Sequence, residues 1–367
     1  MNGVGGREAG AGAGEGRAPG EIRVTAVREA QVSAVVVNYN GDAFVADAVA
    51  SLLAQDLPGV EVIVVDNASS DGSADALERR FGGRIRLLRS PRNVGFGAGN
   101  NLGIRAGAAP YVVLLNSDAE AAPGFVRELV AAAEADPRVG MVAAKVLEHG
   151  RRDVIDTVGH LLFPDGLNRG RGRLEPDRGQ YDACRDALFP SGAAALYRRA
   201  MLEEVGQFDE AFFLYGEDAD LGLRGRLAGW RCALAPRAVA YHRYSASTGA
   251  YSALKAFHVE RNRVFLLVKL FPLRLVLASP LFTAARLLLQ AWAALTGRGA
   301  SGRFAREASP LRLVAIGLRA YIAALGGLPR VLRQRAAFRS KRRLATREFM
   351  GLLRRFRLTA REAAFKE

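Results

Sequence analysis

The chain has 367 residues, half of them hydrophobic, and a formal net charge of +15, so it has material for a sizeable core and room for one large domain with an appendage, or for two domains. Its two cysteines, Cys184 and Cys232, form no close-spaced motif and read as reduced, structural thiols in a cytosolic protein. The charge is lopsided: residues 251–367 carry 24 Lys+Arg against 5 Asp+Glu, the first 250 carry 28 against 32, and no aspartate follows Asp220.

Residues 1–20 are rich in Gly and Ala and lack the apolar core of a signal peptide; residues 1–30 read as a disordered tail. From residue 32, apolar strands alternate with amphipathic helices. The spacing predicts a buried strand over 32–37. A helix over 42–55 places Phe44, Val45, Ala48, Val49, Leu52 and Leu53 on one face. A β-branched strand follows over 60–65, then a helix to Phe81 that Asp71 can cap. Next come a short strand over 85–88, a helix over 97–109 and a strand over 111–115. A helix over 123–135, with Pro123 at its start, and a strand over 139–146 close the run. Such alternation implies right-handed crossovers and a mostly parallel sheet covered on both faces.

Between 148 and 180 the pattern breaks down into Gly, Arg and Asp, with His160 and Pro164 among them, and reads as an irregular excursion over the active face. A strand over 189–197 resumes. It precedes a helix over 217–228, with Leu221, Leu223 and Leu227 inward, and a strand over 231–235. Past about residue 250 the character changes. The stretch 265–295 is strongly apolar but interrupted by Lys269, Arg274 and Arg286. Its longest uncharged pieces, 275–285 and 287–297, fall short of the roughly 20 residues of a membrane span. Thr283, Arg286 and Gln290 form a narrow polar stripe on this oily helix, residues 311–328 are apolar again, and 330–361 is dense in arginine. The chain therefore divides into the tail, a domain over 31–250, and a helical, basic region over 251–367 expected to meet an anionic membrane surface. No aromatic-interleaved recognition motif accompanies the arginines, so no nucleic-acid partner is expected.

Several motifs fall where strands end, which is where open α/β sheets bind ligands. Asn38-Tyr39-Asn40 follows the first strand, although Asn40 and Gly41 also suit a plain turn. Asp66-Asn67-Ala68-Ser69-Ser70-Asp71-Gly72-Ser73 ends the second. Asp66 there can accept a hydrogen bond from a base or ribose, while Asp71 and Gly72 suit a loop and helix cap. Arg92-Asn93-Val94-Gly95-Phe96-Gly97 opens the third helix; its glycines admit a ligand close to backbone, and the helix start offers amides to an anion. Asn116-Ser117-Asp118 ends an apolar strand, and its hard oxygens suit Mg²⁺ or Mn²⁺ with a diphosphate. Glu217-Asp218-Ala219-Asp220 begins a helix, where acids also simply favour the dipole; Asp218 is the candidate general base. His242 follows the last strand and is either a hydrogen-bonded structural residue or a ligand.

In their order and spacing, these motifs over about residues 31–250 resemble glycosyltransferase family 2, in its rhamnosyltransferase-like and galactofuranosyltransferase-like branch. The resemblance implies an α/β GT-A fold, Rossmann-like with a mostly parallel central sheet. It also implies a nucleotide-sugar donor, a divalent cation and inversion at the anomeric carbon. Asn38, Tyr39, Asn40, Asp66 and Asn67 fall where the family contacts the nucleotide, and Arg92, Asn93 and Gly95 in its nucleotide–diphosphate loop. Asp118 matches the last acid of the family's Asp-x-Asp metal motif, with Asn116 in place of the first acid, beside Ser117, and His242 completing the shell. Asp218 matches the base, with Glu217 beside it, and Gly192 lies in the acceptor-side strand. The expectation is transfer of rhamnose from dTDP-rhamnose, or of a hexose from a UDP-hexose, to a lipid-linked saccharide or other glycan in cell-envelope synthesis. The expected location is the cytoplasmic face of the plasma membrane, peripheral or monotopic. A nucleotidyltransferase of similar layout would need a lysine-bearing glycine loop near the first strand, and Lys145 is the only lysine before residue 250. An inactive glycan-binding scaffold is the other alternative.

Overall fold

The computed structural model describes residues 30–243, 252–296 and 310–365; the tail expected over 1–29 lies outside them. A nine-stranded sheet forms the centre. β1 (Val32–Asn38) is buried along its whole length between β2 (Val60–Asp66) and β4 (Tyr111–Leu115), parallel to both. That explains a run of valines instead of an alternating pattern: both faces are covered. The period of two still shows in the packing, because Val35 and Val36 join different cores on opposite faces. β3 (Arg86–Arg89) extends the sheet beyond β2.

On the other side of β4 the sheet changes direction. β10 (Ala194–Arg198) runs antiparallel between β4 and β6 (Val139–Glu148). β11 (Arg231–His242) lies parallel to β6, and β5 (Ala119–Ala121) pairs with its end. Helices α1 (Phe44–Leu53), α2 (Ser73–Phe81) and α4 (Phe125–Glu134) cover one face through Val45, Leu52, Leu77 and Leu129. The other face carries α3 (Phe96–Ala106), α5 (Arg199–Val205) and α6 (Glu217–Leu227), with Ile104, Leu202, Leu221 and Leu223 in its core. On α3, a Cβ at Gly103 would lie 2.4 Å from Val35 Cγ1, so glycine there sets how closely this helix sits on β1.

Three expectations need correction. The strand over 189–197 begins only at Ala194, because Leu188 and Phe189 bend and Gly192 and Ala193 turn before it. The strand over 231–235 runs on to His242: Pro236 is absorbed in a register irregularity between Ala235 and Val239. The excursion over 148–180 is only partly irregular. β7 (Ile155–Thr157) adds to the edge of β6, and β8 (His160–Leu162) and β9 (Asn168–Gly170) form a hairpin.

The packing crosses residue 250. α7 (Ala253–Leu270) contributes Leu266, Leu267 and Leu270 to the same core as α6, and Phe271, Phe349 and Phe356 join them. Beyond it lie α8 (Leu273–Leu295), α9 (Pro310–Phe338), α10 (Thr346–Arg355) and α11 (Ala360–Phe365). By length and composition, two stretches, Leu273–Ala293 and Val314–Lys341, are long and apolar enough to cross a membrane. The isolated cations that break the sequence pattern do not break the helices.

Candidate active site

The carboxyl ends of β1, β2 and β4 open onto a cavity of about 1740 Å³. Its wall includes Asp118, Ser117 and Asn116 after β4, Glu217 and Asp218 at the start of α6, His242 at the end of β11, and Gly192 before β10. Residues separated by a hundred positions thus share one chamber. Tyr39, Asn67, Asn93 and Gly95 line it as well.

The chain brings Asp118 and His242 together through strand pairing, since His242 is in register with Ala119. His242 Nε2 lies 3.2 Å from Asp118 Oδ1, and His242 Nδ1 lies 2.7 Å from Asp156 Oδ2. Asp156 is itself paired with Arg173. Burial works against a charged His242, but the bonds to Asp118 and Asp156 outweigh it and raise its pKa to about 10. Asn116 Oδ1 is buried with no hydrogen-bond partner, and Asn116 Nδ2 lies 3.4 Å from His242 Nε2.

This set fits a divalent cation. The Asp118 carboxylate, the His242 imidazole and the Asn116 side-chain amide lie side by side, and a second carboxylate orients the imidazole from behind, as is usual for metal-ligating histidines; the imidazole ligates once it gives up the proton it holds between the two carboxylates. Among the described residues no group of three His, Cys, Asp or Glu side chains is placed to hold a metal ion by itself.

Asp218 sits in the first turn of α6, whose N-cap is Gly216 at φ +85°. Its Oδ2 accepts the Gly192 N–H at 3.2 Å and its Oδ1 the Ala219 N–H at 2.8 Å. Glu217 beside it is buried, with Oε2 unpartnered. Burial, reinforced by the charge of Asp218, pushes the Glu217 carboxyl up to about 8. Near pH 7 Glu217 therefore keeps its proton.

The segment before α6 is strained: Phe213 and Tyr215 have φ of +62° and +65°. α7 holds it in place. Asn262 Nδ2 donates to the carbonyls of Phe212 (2.9 Å), Leu214 (2.9 Å) and Tyr215 (2.6 Å). One turn and two turns earlier, His258 stacks on Phe213 and the Lys255 ammonium lies over the Tyr215 ring. From the other side, a Cβ on Gly95 (φ +89°) would fall 2.4 Å from the Phe213 carbonyl oxygen, so only glycine fits.

Asn38, Asn40, Asp66 and Arg92 do not line the cavity. Asn38 is fully buried and its amide bonds Asp66, Ser69 and Ser73, while its oxygen accepts the Gly41 N–H. Asn40 accepts the Ser70 N–H, and Arg92 is exposed. Asn38, Asn40 and Asp66 shape the strand-end loops. Asn67 does both: it lines the cavity, and its side chain ties down Asn93, Val94 and Gly95. Sequence reading missed Asp156, a single carboxylate in a polar stretch with no periodicity. It also missed His160, which forms part of the wall and stacks on Phe189; burial holds its pKa below the ordinary value. Asn262 carried a usable signal, since Lys255, His258 and Asn262 recur at helical spacing.

A family model described as "Glycosyltransferase like family 2" matches residues 30–263. An N-acetylglucosaminyl-diphospho-decaprenol L-rhamnosyltransferase of Mycobacterium tuberculosis is 32% identical over 256 residues, covering 63% of this chain and 82% of the relative. The fold is shared with the mannosyltransferase PcManGT from Pyrobaculum calidifontis, solved with GDP-Man and Mn²⁺ (TM-score 0.50, 21% identity, 86% of each chain). It is also shared with GalNAc-T7, solved with UDP, GalNAc and Mn²⁺ (TM-score 0.53, 16% identity, 66% of this chain and 48% of that one). The mixed sheet, the strand-end motifs gathered on one cavity, and the family match over more than half its length establish that this chain is a GT-A-fold glycosyltransferase of family 2.

Proposed function

We propose that this enzyme transfers a sugar from a nucleotide-diphosphate donor to a lipid-linked saccharide in one inverting displacement. The observation that carries this reading is the shared cavity of Asp118 and Asp218. Asp218 takes the proton of the acceptor hydroxyl, which attacks the anomeric carbon from the face opposite the diphosphate. Gly192 and the α6 helix start hold its carboxylate in place. Glu217, protonated near neutral pH, is a poor nucleophile, which favours a single displacement over a covalent intermediate.

Asp118, His242 and Asn116 are the residues that would hold Mn²⁺ or Mg²⁺; imidazole in the set favours Mn²⁺. When bound, the cation offsets charge growing on the leaving diphosphate. Asp156 fixes which imidazole nitrogen faces Asp118. Tyr39, Asn67, Asn93 and Gly95 are assigned to the nucleotide and diphosphate side, and Asn38, Asn40, Asp66 and Arg92 to support of those loops. The rhamnosyltransferase relative supports dTDP-rhamnose as donor, with a UDP-hexose as the alternative, and a diphospho-polyprenol saccharide of the cell envelope as acceptor. The basic, apolar C-terminal helices support attachment to the cytoplasmic face of the membrane, lying on it monotopically.

Asp218→Asn tests the central assignment. Turnover is expected to fall by about 10²–10⁴-fold with nucleotide binding retained, and the anomeric configuration of the wild-type product, read by NMR, is expected to be inverted. Near-normal turnover in folded Asp218→Asn would remove this residue from the chemistry.

A further inference from the structure

The cavity that holds Asp118 and Asp218 does not end at the sheet. Its far wall is made by Leu287, Ala291 and Leu295 of α8 and by Val314, Gly317 and Leu318 of α9. These two helices are amphipathic in the reverse sense. On α8, Thr283 and Arg286 bond Asp165, and Arg286 also pairs with Glu260. On α9, the Tyr321 hydroxyl accepts from Arg263. The polar stripe thus faces the protein. Outward point Leu281 and Leu288 of α8, 76% and 72% exposed, and Ile322 and Leu325 of α9, 68% and 64% exposed. An apolar face of this extent marks an interaction site, and the region that bears it carries 24 Lys+Arg against 5 Asp+Glu. An anionic bilayer matches both properties.

We propose that the active-site cavity opens sideways between α8 and α9 into the bilayer. The long apolar chain of the acceptor lies in that opening, so that its sugar reaches Asp218 while the chain stays among lipids. This rests on the lipid-linked acceptor read above and adds the route by which such a molecule enters. The transfer itself is unchanged. An acceptor drawn in laterally need not expose its chain to water, which would cost more with every methylene. Lys255 and Arg169 also line this cavity and supply positive charge for an anionic linker between chain and sugar.

Gly317 offers a direct probe. A Cβ added there meets nothing within 4 Å, and glycine inside a helix is itself unfavourable, so Gly317→Trp is expected to fold and to obstruct the opening. Ala291→Trp obstructs it from α8. The assay uses full-length protein in phosphatidylglycerol–phosphatidylethanolamine vesicles. It compares kcat/KM for a long-chain polyprenyl diphosphate saccharide with that for the same head group on a short alkyl chain. Wild type is expected to prefer the long chain. Each tryptophan variant, with its Tm retained, is expected to lower the long-to-short ratio about tenfold, the equivalent of lost contact with about two methylene groups. A preference in wild type that both folded variants leave unchanged or increase overturns the side opening. A wild type that treats both chains alike overturns the lipid-linked acceptor itself.

Discussion

Replacing Asn262 by alanine tests how the base is held in place. The side chain is 1% exposed and makes three bonds from one amide nitrogen to Phe212, Leu214 and Tyr215. The nitrogen has two hydrogens for these three acceptors, so at about 1 kcal/mol net per donated hydrogen the loss is about 2 kcal/mol. The Phe212 carbonyl keeps a second donor in Arg261 at 2.8 Å, so the loss falls mainly on Leu214 and Tyr215. Those two lie within the segment in which Phe213 and Tyr215 have positive φ, whose strain of about 1–3 kcal/mol per residue relaxes once it is no longer pinned. Relaxation moves Gly216 and with it the first turn of α6, where Asp218 sits. A displacement of about 1 Å at a reacting group is enough for about a 10²-fold loss. Asn262→Ala is therefore expected to lower kcat by about that factor while donor affinity, measured by calorimetry with the nucleotide sugar, is preserved. Asn262→Ser, which keeps one donor, should fall between. If Asn262→Ala loses thermal stability but keeps kcat within about twofold of wild type, the bonds are only structural and the argument for positioning fails.

Two further outcomes follow from the acidic groups. Asp156→Asn removes the carboxylate behind His242 and is expected to weaken Mn²⁺ binding by about 10–100-fold, read by calorimetric titration; an unchanged titration would detach Asp156 from the cation site. Glu217 bears on stability against pH. Its folded pKa of about 8 lies above the ordinary 4.5, so the native state keeps a proton that the unfolded chain releases. The favourable contribution is complete below about pH 4.5 and is lost as pH rises through about 8, with a slope of up to about 1.4 kcal/mol per pH unit. Glu217→Gln should flatten the fall in Tm across that window, and parallel Tm profiles for the two proteins would refute the assignment.

Much of the catalytic half was legible because its signals are local. Valine runs mark doubly covered strands, and the short polar motifs lie where those strands end. The GT-A layout and the gathering of Asp118, Asp218 and His242 follow from that regularity. What stayed hidden depends on distant partners. Asp156 has meaning only once β7 pairs with β6 and brings it behind His242. The polar stripe Thr283, Arg286 and Gln290 was visible, but not that Asp165 and Glu260 would meet it from inside. A stripe on an oily helix looks the same whether it faces water or a buried carboxylate. Asn38 and Asp66 show a second kind of dependence on distant partners. Their strand-end position suggests ligand contact, yet their hydrogen bonds go to neighbouring loops.

α7 belongs to two systems at once, since Leu266, Leu267 and Leu270 fill the core beneath the sheet while Asn262 secures the turn before Asp218. A shortened enzyme cut at the compositional break near residue 250 would lose those leucines and uncover the core they fill. At about 1.5–3 kcal/mol each, they amount to a large part of the stability a domain this size possesses. Chimeras meant to exchange the acceptor-side helices with those of another transferase should therefore be joined downstream of Phe271, leaving this helix with its parent sheet.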